Sequence, residues 1–149
     1  MDGFEFSVDA FPLVVCVVRD KMTDDDYHAM FSAWETVTLR KERFVALVDL
    51  RMARSPSNPT QRAMIAAWLR KMDGTFAQYS LGSASVVTSA LVRGAMTAVN
   101  WIHRPKVVQV SFGTMLEACD WCIRRLHEAH IPVTPRIEAY RTRLFLHTA

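Results

Sequence analysis

The chain has 149 residues, of which 50% are hydrophobic and 22% charged, and its formal net charge is +3. This length predicts a single domain with a substantial core. The longest uninterrupted apolar run, 11–18, is too short to cross a membrane, and the acidic start lacks the pattern of a secretory signal. Three cysteines, an odd number, fit a reducing compartment better than a disulfide framework, so we expect a cytoplasmic protein.

The charge is spread unevenly along the chain. Residues 1–50 hold ten acids and five bases, a balance of −5, whereas residues 51–103 hold six bases and one acid, a balance of +5. Residues 104–149 hold seven bases and four acids, a balance of +3. A positive region favours an anion or an acidic partner. The excess is too mild, and too poor in interleaved aromatic residues, to predict nucleic-acid binding.

Strand and helix patterns alternate in the first third of the chain. The segment 4–8 alternates apolar and polar residues, whereas 13–18 is a continuous apolar run of the kind found in buried strands. Thr23 and Asp26 have the spacing of a capping box, which predicts a helix start. The predicted elements are strands at 4–8 and 13–18, which form a hairpin, a helix up to about residue 39, and a buried strand at 44–50.

The same alternation continues to the end of the chain. Asn58 is a natural N-cap before Pro59 at the favoured first helical position, and Ser89 and Thr114 are the caps of two later helices. The predicted elements are a helix beginning at 59, a strand at 82–88, a helix ending near 102, a strand at 107–111, a helix broken by 131–133, and a last helix at 134–146.

This order predicts an α/β fold. Strands that alternate with helices imply crossover connections and a mostly parallel sheet of five strands, with helices packed on it. The N-terminal hairpin supplies one antiparallel edge. We divide the chain into an α/β domain at 1–133 and an extra C-terminal helix at 134–149, packed on the domain or on a partner.

Four segments carry a resemblance to a known family: the N-terminal hairpin, the strand 44–50 with its loop, the segment 86–95, and Val110-Ser111-Phe112 before Glu117-Ala118. With their order along the chain, they resemble the STAS domain family of sulfate transporters and anti-sigma-factor antagonists, especially its divergent stand-alone bacterial relatives. The resemblance covers roughly residues 4–130. It implies a STAS-like fold and a regulatory, signalling role through binding another protein. Phosphoswitch members carry an Asp-Ser-Ser/Thr-Gly-type signature, and the matching segment 51–58 has neither the Asp-Ser pair nor the glycine.

The loop after the strand 44–50 is the main candidate site. Ligands and partners meet α/β sheets at the carboxyl ends of strands, and arginines beside helix N-termini suit a phosphate, a carboxylate or an acidic surface. The end of the strand 82–88 is expected at the same edge. Ser55 and Ser57 are also candidate phosphoacceptors. The predicted partner- or anion-binding residues are Arg51, Arg54, Ser55, Ser57, Asn58, Arg62, Ser89 and Arg93.

Other motifs have simpler structural explanations. Cys119 and Cys122 have redox-pair spacing, but they lie past the first turn of their helix, where core packing explains them. His127 and His130 follow on the same helix, which is too straight to bring all four side chains to one metal ion. We therefore predict no metal, no cofactor and no catalytic residue.

The expected function is a non-enzymatic regulatory module that binds another protein, with homodimerisation as an open alternative. The runner-up is a carrier or sensor of a small anionic or lipid ligand, and an enzyme of unknown class is third. An exposed apolar patch beside the basic loop would favour a partner-binding module. An apolar cavity with a few polar groups would favour a ligand carrier, and titratable groups with perturbed pKa values in a cleft would favour an enzyme.

Overall fold

A computed structural model describes residues 3–147 of the chain. Over those residues the protein is α/β, with a five-stranded mixed sheet and five helices in the predicted order. Strand β4 begins two residues before the predicted start, directly after α2, and β5 begins two residues later than predicted. The elements are β1 Phe4–Ser7, β2 Leu13–Val18, α1 Asp24–Thr38, β3 Phe44–Asp49, α2 Pro59–Tyr79, β4 Ser80–Val86, α3 Ala90–Ile102, β5 Gln109–Phe112, α4 Met115–Glu128 and α5 Pro135–His147.

Side-chain caps define the starts of all five helices, including α5, where Thr134 Oγ1 accepts the Ile137 N–H at 3.3 Å. The Thr23 and Asn58 side chains each form a capping box at the start of α1 and α2. Ser89 and Thr114 each accept a hydrogen bond from a backbone N–H in the first turn of α3 and α4. These bonds satisfy donors that have no partner inside the helix, so local sequence is enough to place the helix starts.

The five strands lie side by side in sequence order. Strands β1 and β2 are antiparallel, and the pairs β2–β3, β3–β4 and β4–β5 are parallel. When parallel strands are added in one direction, right-handed crossovers place all the connecting helices on the same face. Helices α1, α2 and α3 accordingly share one face of the sheet, and α4 and α5 cover the other.

The alternation of side chains along the strands separates two cores. Leu13 and Leu47 point towards α4, where they pack with Leu126 and Ile137. On the opposite face, residues such as Phe44 pack with aromatic side chains of α1 and α2. Within residues 3–147, no helix is long and apolar enough to span a membrane.

Helix α5 packs on α4. Ile137 is fully buried in the core beneath α4, and Tyr140 and Leu144 pack against the same cluster. Arg141 Nε donates to Asp120 Oδ1 at 2.6 Å, which joins the two helices at the surface. The C-terminal helix therefore covers apolar surface of its own chain.

Candidate functional site

Arg51 follows β3 and is tied to the last residue of that strand. Asp49 is only 4% exposed, and it accepts hydrogen bonds from Nε and Nη2 of Arg51, both at 2.9 Å. The backbone N–H of Arg51 donates to the same carboxylate at 3.0 Å. The charge of Arg51 is therefore used to neutralise a buried acid, and its bond to Asp49 raises the pKa of the guanidinium further.

We expect Arg51→Ala to lower the free energy of unfolding by about 1–3 kcal/mol, because a buried carboxylate would lose two charge-assisted bonds. The guanidinium is half-exposed, so water replaces part of what is lost. Urea unfolding measures this. The control is Arg54→Ala, which removes an exposed side chain and is expected to change stability by less than about 0.5 kcal/mol. Equal losses in the two variants would show that the Asp49 pair does not stabilise the loop.

Asp20, just beyond β2, holds the next part of the loop. Its Oδ1 accepts the backbone N–H of Arg54 at 2.8 Å and that of Ser55 at 3.0 Å. These two bonds hold the pKa of Asp20 below its ordinary value, because they favour the charged carboxylate. Asp26 is similar, since bonds from the N–H groups of Thr23 and Gly3 lower its pKa.

These lowered pKa values predict an acid-side loss of stability. A carboxyl group with a lower pKa in the folded state stabilises the protein above its unfolded value, which is about 3.9 for aspartate, and this stabilisation is lost as pH falls through the folded value. We therefore expect the free energy of unfolding to fall below about pH 4, and Asp20→Asn to reduce that slope. Urea unfolding at several acidic pH values tests this, with the exposed change Glu42→Gln as control. An identical slope in wild type and Asp20→Asn would contradict the assignment.

The two helix N-termini at this edge already have internal partners. Asn58 Oδ1 accepts from the Gln61 N–H at 2.8 Å, and Ser89 Oγ accepts from the Val92 N–H at 3.3 Å. Two further arginines bind backbone carbonyl groups: Arg62 donates to Ser57, and Arg93 donates to Val87 at 3.3 Å.

The structure brings the predicted residues to one edge of the sheet. Ala53 in the loop packs with Val87 and Val92, so the segments around 51–62 and 89–93 are neighbours. Of the candidate phosphoacceptors, Ser55 is exposed and Ser57 is half-buried. The guanidinium groups of Arg51, Arg62 and Arg93 donate hydrogen bonds to acceptors within the protein. The exposed side chain of Arg54 is therefore the most available cation among the predicted residues.

A cavity of about 280 Å³ lies between the sheet and helices α1, α2 and α3. Its walls are apolar and largely aromatic or methionine side chains, and its floor is formed by strands β2, β3 and β4. The walls include Met30, Trp34, Trp68, Phe76, Met96 and Val99.

Small side chains on the floor create this space. Cys16, Ala46, Ser83 and Ser85 face the helices at positions where a close-packed α/β core carries large apolar residues. Helix α3 packs against α2, and its inner face lines the cavity through Val99 and its neighbours. The cavity was not predicted from the sequence, although the alternating small residues Ser83 and Ser85 on the predicted strand 82–88 were the available signal.

Charged side chains line the cavity at its two ends. Arg19 and Asp20 lie at the carboxyl edge of the sheet, and the Arg19 guanidinium binds Glu5 on β1. Asp73 lies at the opposite end, where its Oδ2 is 2.5 Å from Nε2 of His103. Both side chains of that pair are largely buried, and they join α2 to the residue that follows α3.

The cysteines are buried thiols. Burial raises the pKa of Cys16, on the cavity floor, to about 12 and that of Cys119 to about 11. Burial also raises the pKa of Cys122. Because the thiolate is the reactive form, thiols with such pKa values are poor nucleophiles at neutral pH, which agrees with a packing role for Cys119 and Cys122.

Among residues 3–147, no group of three or more His, Cys, Asp or Glu side chains is arranged to hold a metal ion. The apolar cavity and the basic edge beside it are two features with binding potential in this part of the chain, and a second pocket lies on the other face of the sheet between β1, β2 and α5. No family model, no curated protein and no solved structure matches the chain.

Proposed function

We propose that this protein is a non-enzymatic binding protein that carries or senses a small, mainly apolar molecule in the cavity between the sheet and helices α1 to α3. The cavity itself is the observation that carries the proposal. Its volume of about 280 Å³ is near the lower limit of small-molecule sites, and it combines apolar walls with a few polar groups on the floor. The space is partly open to solvent, so an apolar ligand that enters it would displace water from the apolar walls.

The nature of the lining favours binding over catalysis. Cys16 is a buried thiol with a raised pKa, so it is protonated at neutral pH. Asp73 is paired with His103, and Asp20 accepts backbone N–H groups. None of these arrangements supplies an activated nucleophile next to a general base in the cavity.

A titration followed by ¹H–¹⁵N NMR tests the proposal. The probe is 2-naphthamide, a flat bicyclic molecule small enough for the cavity. We expect saturable one-to-one binding, with the largest shifts in β4 and α3. Ala95→Trp, which fills the cavity from α3, should abolish binding. Ala77→Trp, an equal change at an exposed position of α2 outside the cavity, should not.

Two outcomes would contradict the proposal. One is the absence of saturable shifts at millimolar probe. The other is unchanged binding by Ala95→Trp when thermal melting shows that the variant is folded, since the probe would then lie elsewhere.

A specific observation favours a second candidate, the regulatory protein-interaction module implied by the resemblance to the STAS family. The large apolar side chains of Met52 and Leu91 are exposed on the two segments that meet at the basic edge, next to Arg54. An apolar pair beside a cation suits a partner with an acidic rim. Capture from the native cell with wild type and with Met52→Asp/Leu91→Asp tests it, and the expected partner is retained only by wild type.

A further inference from the structure

We propose that the molecule bound in the cavity is electrically neutral and is held by hydrogen bonds to the hydroxyl groups of Ser83 and Ser85. The inference rests on the proposed function and adds the chemical class of the ligand. That class is an apolar body that carries one uncharged polar group, such as an amide, an alcohol or a ketone.

The two serines are polar groups that lack a partner. They lie two residues apart on β4, so both face the cavity from the same side of the sheet. Ser85 is only 8% exposed, and within residues 3–147 neither hydroxyl takes part in a hydrogen bond. Neither hydroxyl oxygen is fully buried, so both are open to the cavity, where a polar group of a ligand can exchange hydrogen bonds with them in an apolar surrounding.

The strand register places uncharged residues around the serines. Ser85 lies opposite Val48, which lies opposite Cys16, and Ser83 lies opposite Ala46. The burial-raised pKa of Cys16 keeps its thiol neutral. The centre of the floor therefore provides hydroxyl groups in an apolar setting, where an anionic ligand would lose its hydration without meeting a cation.

The charged groups at the ends of the cavity do not reverse this preference for a neutral ligand. They are two acids, Asp20 and Asp73, and one base, Arg19, whose guanidinium already binds Glu5. Arg19 nevertheless has a buried Nε with no hydrogen-bond partner among the described residues. It is the one lining group that would attract a carboxylate, so the test must compare a neutral ligand with an anionic one.

Two matched probes make this comparison. 2-Naphthamide and 2-naphthoate have the same rings and nearly the same shape, but at pH 7 only the naphthoate is charged. In calorimetric titrations of the full chain, we expect the amide to bind at least about tenfold more tightly, because burial of an unpaired carboxylate is costly. Ser85→Ala should weaken amide binding by about three- to tenfold, the usual range for one hydrogen bond. Ser111→Ala, at the exposed neighbour opposite Ser85 on β5, should leave it unchanged.

The outcomes separate the two proposals. If the naphthoate binds as tightly as the amide or more tightly, the ligand class is wrong while the cavity remains a binding site, and Arg19→Gln would then weaken naphthoate binding. If Ser85→Ala binds the amide like wild type, the serine anchor is wrong. If neither probe binds at millimolar concentration, the proposed function and the inference both fail.

Discussion

Ile137→Ala is expected to lower the free energy of unfolding by about 2–5 kcal/mol, the range for removing a large aliphatic side chain from a core. Ile137 is 0% exposed and lies beneath α4, in the same cluster as Leu126. Its truncation would leave a void where helix α5 meets the core. The expected result is a cooperative urea transition at lower denaturant concentration, with an unchanged slope.

The control for this experiment lies on the same helix. Leu146 is 64% exposed, so Leu146→Ala removes a side chain of the same size without opening a cavity, and its expected effect is within about 0.5 kcal/mol. A third variant, deletion of residues 134–149, should lower the melting temperature further because it also removes the pair between Arg141 and Asp120. If Ile137→Ala were no more harmful than Leu146→Ala, α5 would not cover the core in solution.

Gly82→Ala is expected to be the most damaging single-methyl change, with a loss of about 3 kcal/mol or more from backbone strain and overpacking together. Gly82 has φ +142, a conformation that residues with a side chain rarely adopt. A Cβ there would lie 2.6 Å from Trp121 Cη2 and 2.9 Å from Val108 Cγ1. Trp121 is a partly buried side chain of α4 that packs against the core, so its ring would have to shift to admit the methyl group.

Gly74→Ala provides the matched comparison. Gly74 is an exposed residue within α2, and a Cβ there meets nothing within 4 Å. Alanine is the better helix former, so this change should stabilise the protein by about 0.5–1 kcal/mol. Thermal and urea unfolding of the two variants should therefore move in opposite directions. Stability shifts of the same sign would show that the positive φ of Gly82 is not required.

Features that depend on neighbours in sequence were predictable. The caps Thr23, Asn58, Ser89 and Thr114 bind N–H groups within three residues, so helix starts could be predicted without knowledge of the fold. The period-two and helical patterns likewise predicted the order of all the strands and helices in the described chain. Given that order, the right-handed crossover rule places the connecting helices α1, α2 and α3 on one face of the sheet.

The candidate site depended on contacts between distant parts of the chain. From the sequence, Arg51 and the N-termini of α2 and α3 were expected to be available to an anion, but Asp49 binds Arg51, and the cap side chains of Asn58 and Ser89 accept hydrogen bonds from the two N-termini. The hydrogen bonds from the N–H groups of Arg54 and Ser55 to Asp20 join residues more than thirty positions apart, and no sequence motif marks them.

By itself, the sequence determined the secondary structure and which residues reach the basic edge, because these follow from short-range hydrogen bonding and side-chain periodicity. Only the tertiary structure decided where space is left between the sheet and the helices. The cavity lies where small residues on β2, β3 and β4 face the aromatic and methionine side chains of helices α1 to α3. Packing volume is a property of facing surfaces, so no single segment of the chain carries it.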